Sequence, residues 1–488
     1  MRLGLQHSYA SLPARFYARV TPTPVSDPKL VVFNACLARE LGLDPELLEP
    51  QAAAMLSGNR PPEDADPIAM AYAGHQFGGF VPSLGDGRAI LLGEIRARNG
   101  NLRDVQLKGA GLTPFSRNGD GRAVLGPMLR EYLISEAMHG LGIATTRSLA
   151  VVTTGDQVFR EVALPGAVLT RVAASHVRVG TFQYFAARGD QDAVAALLEY
   201  VIARHYPEAA DAEVPALSVL QALAQRQAEL IADWMRVGFI HGVMNTDNMT
   251  IAGETIDYGP CAFMDAYDPN TVFSSIDHQG RYAFRNQPAI AQWNLARLAE
   301  TLLPLIDPEP EKAVELATEA IAPFIAAFEA RFLAGMRRKI GLSAAAAGDA
   351  DLVRRLLAVM EQSHADFTLT FSRLVLAAER YDQEPKVREL FADSSDIGSW
   401  LQDWRTLVAR DRRPLEQRIA DMRAANPAFI PRNHRVQAAL DAAEAGDHGP
   451  FHALLDVVQH PFDAQPERSE YAQPPRPSER VLQTFCGT

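Results

Sequence analysis

HGVMNTDNMTIAGETIDYG, residues 241–259, sets an Asp-Asn pair, Asp247 and Asn248, ahead of a short apolar run. A turn at Ala252-Gly253 follows, then a second short run ending in Ile256-Asp257-Tyr258-Gly259. Two such runs about a glycine-containing turn predict a tight hairpin. Asn248 and Asp257 lie symmetrically about that turn, and directly opposed residues hold their β-carbons roughly 4.5–5.5 Å apart. Two oxygen-bearing side chains at that spacing can grip one hard divalent cation such as Mg²⁺, which keeps water and phosphate oxygens as its other ligands. The same residues also suit an ordinary surface hairpin, because Asn and Asp are common turn residues.

The order His-Gly, then Asn, then Ile-Asp-x-Gly resembles the catalytic and metal loops of protein kinases and aminoglycoside-kinase-like enzymes. In those loops a base Asp precedes the metal-binding Asn by five residues and a DFG-type Asp follows. Here the position five before Asn248 is Val243, and Asp247 stands immediately before the Asn instead.

Before this stretch the chain is strand-like from Ala69. Gly74-His75-Gln76-Phe77-Gly78-Gly79-Phe80 leads to Gly85-Asp86-Gly87-Arg88 and the apolar run Ala89 to Leu92. A Gly-Asp-Gly turn serves as a hairpin turn, or as a phosphate cover whose backbone N–H groups approach the oxygens. Arg88 would add a fork of donors. Lys108 ends the next strand, either reaching to solvent or pairing, as a kinase strand lysine does, with a Glu on the following helix. That helix starts near Gly126-Pro127, repeats Leu129, Leu133, Ala137 and Leu141, and contains Glu131. Gly109-Ala110-Gly111 is a lone GxG without the rest of a dinucleotide fingerprint. Strands are expected over 148–153 and 157–164. Arg171 and Arg178, seven apart, share one face if their segment is helical, as a solvated surface or a polyphosphate clamp. A helix over 216–237 delivers the chain to His241, and 289–430 reads as nearly all helical. An earlier helix is expected over 27–41, and the proline-rich tail reads as an extended or disordered strap.

With 488 residues, 47% apolar and 22% charged, the chain suits a soluble globular protein of two or three domains or one two-lobed unit. The net charge of −12 argues against general nucleic-acid binding. Three dispersed cysteines, Cys36, Cys261 and Cys486, indicate neither a zinc site nor a disulfide scaffold and fit a reducing cytoplasm. No signal peptide or membrane span is expected, and His278 reads as a structural group.

The strings Tyr72 to Gly78, Leu107 to Arg117, Gly119-Asp120-Gly121-Arg122, His241 to Met249 and Asp277-His278-Gln279-Gly280-Arg281-Tyr282 resemble the selenoprotein O family, also called YdiU or UPF0061. The resemblance runs from about residue 5 to the C-terminal thiol. It implies an α+β, bilobal protein-kinase-like fold with a small sheet-rich N-lobe and an enlarged helical C-lobe. The divisions are an N-terminal extension at 1–65, N-lobe at 66–165, C-lobe at 166–445 and tail at 446–488. It implies transfer of AMP, or UMP, from ATP or UTP to Ser, Thr or Tyr hydroxyls of proteins by a monomer. By the resemblance Gly85, Gly87, Arg88, Asp120 and Gly121 contact the nucleotide. Lys108 pairs with Glu131, and Arg171 and Arg178 hold the outer phosphates. Asp247 accepts the proton, and Asn248 and Asp257 bind Mg²⁺ or Mn²⁺, with Asp257 also at the nucleotide. An Asp near its reference pKa of about 3.9 is ionised at neutral pH, as a base should be. A protein kinase and a non-catalytic ATP-binding scaffold are the rival readings. Some family members carry a cysteine shortly before the Asp-His-Gln-Gly-Arg string, where this chain has Phe273 and Ser274. Cys486 is left to pair with Cys261, to form a mixed disulfide or to stay free.

Overall fold

Alternation along a few strands decides where the charged side chains go. The computed structural model describes residues 1–345 and 347–485, so Cys486 and the pairings expected of it lie outside the described residues. The main sheet contains β1 (Tyr17–Arg19), β2 (Lys29–Phe33) and β3 (Ile68–Met70). After the separate hairpin β4 (Gly74–Gln76) and β5 (Gly79–Val81) come β6 (Ala89–Arg96), β7 (Leu102–Lys108), β8 (Ala123–Val124), β9 (Arg147–Phe159) and β10 (Ala163–Ala173). Its order is β1-β3-β6-β7-β10-β9-β2, with β8 on β10, and the pairs are antiparallel.

Residues i and i+2 of a strand share a face. Ile90 and Leu92, Val105 and Leu107, and Val168 and Val172 therefore point together into an apolar core shared with α1 (Ala35–Glu40) and α2 (Pro45–Leu56). Fully burying each such side chain contributes about 1.5–3 kcal/mol. The intervening Gln106 and Lys108 face the other way, with Arg171 opposite Gln106 and Leu169 opposite Lys108 in the ladder. On that second face lies α3 (Leu125–Gly140), whose Leu129, Leu133 and Ala137 join the larger core. Helix α3 is wedged from behind. A β-carbon at Gly126 would overlap the Glu444 carboxylate, and one at Gly140 would stand 2.8 Å from the Gln459 carbonyl. Helices Asn433–Glu444 and Gly449–Gln459 pack along it.

Beyond the sheet come α4 (Val179–Ala186), α5 (Gln191–His205) and α6 (Pro215–Arg236), then β11 (Phe239–Ile240), β12 (Ala262–Phe263) and α7 (Gln287–Ile306). Helix α6 begins with Pro in its first turn, buries Leu220, Leu223, Leu230, Ile231 and Trp234, and ends before Gly238 at φ +75°. It matches the helix expected over 216–237. The stretch 289–430 is helical as expected, through Leu415–Ala425. Among the described residues no helix is long and apolar enough to cross a membrane.

Several expectations are corrected. The helix expected over 27–41 is the strand Lys29–Phe33 followed by the short α1, because Leu-Val-Val-Phe pairs with β9 and Asn34 caps the helix by accepting from Leu37 N at 2.9 Å. The two strands expected over 148–164 are one, Arg147–Phe159, answered by β10. Arg171 is therefore a strand residue rather than part of a helix, and Arg178 is the residue before α4. The predicted hairpin at 249–257 does not form a ladder. Thr250 bridges to Arg178 and Thr255 to Thr145, while the Thr250 hydroxyl closes the turn by donating to Glu254 O at 2.7 Å. The tail, expected as an extended or disordered strap, docks at its end: Thr484 N donates to Phe273 O at 2.7 Å and its hydroxyl to Pro260 O at 2.5 Å.

Candidate active site

Lys108, at the end of β7, donates from Nζ to Glu131 Oε2 at 2.7 Å and to Asp257 Oδ1 at 3.0 Å. Arg171 reaches the same two carboxylates, with Nε 2.7 Å from Glu131 Oε1 and Nη2 2.5 Å from Asp257 Oδ1. Arg178 Nη1 donates to Asp257 Oδ2 and to the Asp247 carbonyl, both at 2.6 Å. Sheet alternation, α3 and the 257 loop thus bring three cations onto one carboxylate. Burial works to raise the pKa of Asp257, but Arg171, Lys108 and Arg178 outweigh it and hold the carboxyl well below its usual range. Glu131 is likewise lowered against its burial, by Arg171 and Lys108. Asp257 adopts φ +60°, a left-handed conformation that Asp tolerates better than most residues. Side-chain exposure separates the group. Asp257 is 21% exposed and Lys108 11%, against 4% for Arg178 and 1% for Arg171. Lys108 and Asp257 form the face open to a ligand, and the arginines stand behind them.

Asp247 sits on a single helical turn, Thr246–Asn248. Gln76 Nε2 donates to its Oδ2 at 3.4 Å, while Oδ1 is buried without a partner. Burial pushes its carboxyl up to about 6, with Arg178 pulling the other way. The reference value expected from sequence is therefore corrected upward, because the side chain is enclosed. A value near 6 leaves the group mostly ionised at pH 7 and better matched to proton abstraction. Val243, in the place of a kinase base, offers its carbonyl to Asn248 Nδ2 at 2.9 Å. That bond leaves the Asn248 oxygen as the available ligand atom.

The loop is held by residues to which sequence reasoning gave no role. Thr246 Oγ1 accepts from His75 N at 2.7 Å and donates to Gln183 at 2.6 Å. Asn245 Oδ1 accepts from Phe77 N at 3.1 Å and from the Tyr282 hydroxyl at 2.7 Å. Arg178 lies over the Tyr72 ring, 4.7 Å from its centroid. Tyr72, His75, Phe77 and Tyr282 fall in the Tyr72–Gly78 and Asp277–Tyr282 strings, so part of the signal was present, but their convergence is long-range and Gln183 lies outside every string.

The glycine turn uses its amides within the chain. Gly85 N donates to Tyr72 O, Asp86 N to Met70 O and Gly87 N to Gly85 O, so all three amides are committed to the chain itself. At Gly85, φ is +66° and a β-carbon would overlap the Phe115 ring. The glycines are required by that turn and that close approach. Asp120 is held away from the cation cluster, paired with Arg160 at 2.8 Å. Gly121 O accepts from Gly111 N at 3.1 Å, folding that loop back over the end of β7. Among the described residues the recorded hydrogen bonds of Gly85, Gly87, Asp120 and Gly121 go to partners other than Lys108 and Asp257. Lys108, Glu131, Arg171, Arg178, Asp247 and Asp257 are brought together; Gly85, Gly87, Arg88, Asp120 and Gly121 line neighbouring loops.

For a divalent cation the donors are hard oxygens, the Asn248 oxygen and the Asp257 carboxylate. Among the described residues no group of three or more His, Cys, Asp or Glu could hold a metal by itself. One or two carboxylates completed by water and phosphate oxygens is how Mg²⁺ is usually held. The residues fit.

The family model for protein adenylyltransferase SelO matches residues 1–459. A protein nucleotidyltransferase YdiU of Rhizobium rhizogenes is 62% identical over 487 residues, covering 100% of this chain and 97% of its own. The protein of the same name in Rhizobium meliloti is 61% identical over 483 residues, covering 99% of each chain. That of Agrobacterium fabrum is 60% identical over 488 residues and covers both chains completely. This chain belongs to the protein adenylyltransferase SelO family of nucleotidyltransferases.

Proposed function

We propose that the protein works in a kinase-like, two-lobed frame and transfers the AMP moiety of ATP, or UMP from UTP, to a Ser, Thr or Tyr hydroxyl of a protein. The acceptor oxygen forms a bond to the α-phosphorus, the bond from that phosphorus to the β-bridging oxygen breaks, and pyrophosphate leaves. The observation carrying this reading is the enclosed Asp247 carboxylate. It has a partnerless oxygen and a pKa near 6, and Arg178 links its backbone to the cation cluster. Asp247 takes the hydroxyl proton. Lys108 stabilises the charge that develops on the phosphates, and Arg171 and Arg178 supply positive potential from behind Asp257. Asn248 and Asp257 would hold Mg²⁺ or Mn²⁺, which supplies positive charge at the reacting phosphate when bound. Glu131 keeps Lys108 and Arg171 in place.

The test is incubation with α-labelled and γ-labelled ATP, with Asp257→Ala as control. Protein-bound α label in the wild type alone supports the reading. Protein-bound γ label identifies a kinase instead, and nucleotide binding without either label a non-catalytic scaffold.

A further inference from the structure

We infer that Arg281, set among aromatic rings at the mouth of the Asp247 site, binds a carboxylate of the acceptor polypeptide that flanks the hydroxyl that is modified. The inference rests on the reading of Asp247 as the group nearest the acceptor. The β4–β5 hairpin carries the geometry. Gln76 touches Asp247, Phe77 turns the chain at φ +51°, and Gly78 covers Arg281, a β-carbon there standing 3.7 Å from the guanidinium. The strained Phe77 is held by its amide, which donates to Asn245 and Tyr282. Strain of this kind in a non-glycine residue clusters at functional sites.

The surroundings form a platform. Phe77 and Phe80 are 36% and 40% exposed. The His75 ring packs on Phe80 at 4.9 Å and on Trp293 at 5.3 Å. Trp293 in turn carries Arg281 at 4.8 Å and Arg297 at 5.0 Å from its ring centroid. Arg297 is neutralised by Glu300 at 2.7 Å. Arg281 is not: among the described residues no carboxylate pairs with its guanidinium, and its Nε is buried without a partner. The nearby Asp277 is spent on backbone amides, accepting from Arg281 N at 3.0 Å and Tyr282 N at 2.8 Å. In a chain of net charge −12, an arginine stacked on indole and left without a counter-ion is a built carboxylate receptor, because stacking fixes the plane of its donor fork.

The hairpin tip places the site. Gln76 pairs with Gly79 across the Phe77-Gly78 turn, and that tip touches Asp247 through Gln76 and Arg281 through Gly78. An acceptor whose hydroxyl lies at Asp247 therefore passes Arg281 with a side chain flanking the modified residue.

The test uses fluorescence anisotropy with the full-length protein and two short labelled peptides. Each has a central Ser, with Glu in one and Gln in the other at the two positions on either side of it. Wild type should bind the Glu peptide about tenfold more tightly, the worth of one charge-assisted hydrogen-bonded pair. Arg281→Met should erase the preference without changing ATP binding or the melting temperature, and Arg281→Lys should retain part of it. Equal affinities in wild type, or an intact preference in Arg281→Met, would overturn the inference. If Arg281→Met fails to fold, the wild-type preference and its partial retention in Arg281→Lys decide. Because binding needs no chemistry, a Glu preference without α-label transfer refutes the proposed activity and leaves the Arg281 site standing. Transfer without the preference does the reverse.

Discussion

Replacing Gly74 with alanine should disable the site while sparing the fold. A β-carbon at Gly74 would lie 3.0 Å from both Cβ and Cγ of Asp247 and would overlap its Oδ1. Ordinary carbon–carbon contact is about 3.5–4.0 Å, so the carboxylate must retreat by somewhat under 1 Å, or the hairpin must lift by as much. A misplacement of about 1 Å at a reacting group costs on the order of 10²-fold in rate. Asp247 occupies an enclosed loop whose backbone is tied through Thr246 and Asn245 to His75 and Phe77, so neither partner can yield alone. The assay is the initial rate of α-label transfer from ATP to protein, with the melting temperature measured in parallel. Gly79→Ala on the same hairpin is the control, since a β-carbon there meets only the Gln76 carbonyl at 3.5 Å. Gly74→Ala should fall about 10²-fold while Gly79→Ala stays near wild type. A Gly74→Ala enzyme within a few-fold of wild type, alongside an inactive Asp247→Ala, would refute the placement of Asp247.

Glu131→Ala removes one of the two carboxylates that Lys108 and Arg171 share, the fully buried one, and should cost about 3–5 kcal/mol in urea unfolding; a loss under about 1 kcal/mol would contradict the coupling. Asp247→Asn keeps the shape of the side chain and removes proton acceptance, so label transfer should collapse while ATP binding, measured by calorimetry, persists. A chelator should stop α-label transfer, and either Mg²⁺ or Mn²⁺ should restore it. Asp104 tests the acid response. Burial would raise its pKa, but Arg204 and His176 outweigh it and hold it at about 2 against 3.8. A depressed carboxyl stabilises the fold above the unfolded value, so about 2 kcal/mol should be present above pH 4 and lost as pH falls toward 2. Asp104→Asn should flatten that window in acid-dependent unfolding.

Local chemistry made part of this legible. Helix α6 was readable because its apolar residues recur at helical spacing and Gly238 ends it. The Lys108–Glu131 pair followed from a strand lysine and a helix glutamate close in sequence, and the structure joins them. Two local readings failed for one reason, that tertiary pairing overrode the local pattern. Leu30 to Phe33 joined the edge of β9 instead of a helix, and Thr250 and Thr255 found partners at Arg178 and Thr145 instead of each other. The raised pKa of Asp247 was beyond reach, because enclosure by Gly74 and Gln76, more than 170 residues away, has no trace in the residues flanking the Asp. Nor could Gly85 and Gly87 be assigned from composition, since their need for a missing side chain comes from Phe115.

One helix is gripped from two directions. Glu131 on α3 holds Lys108 and Arg171 from different strands, and the same helix has its first turn packed on the Glu444 carboxylate and its last turn pressed on the Gln459 backbone. Any tilt that releases the lysine must release the arginine with it and must also dislodge the last two long helices. The polypeptide therefore carries its own brace for the lysine–glutamate couple, and a deletion near residue 450 should be felt at the phosphates.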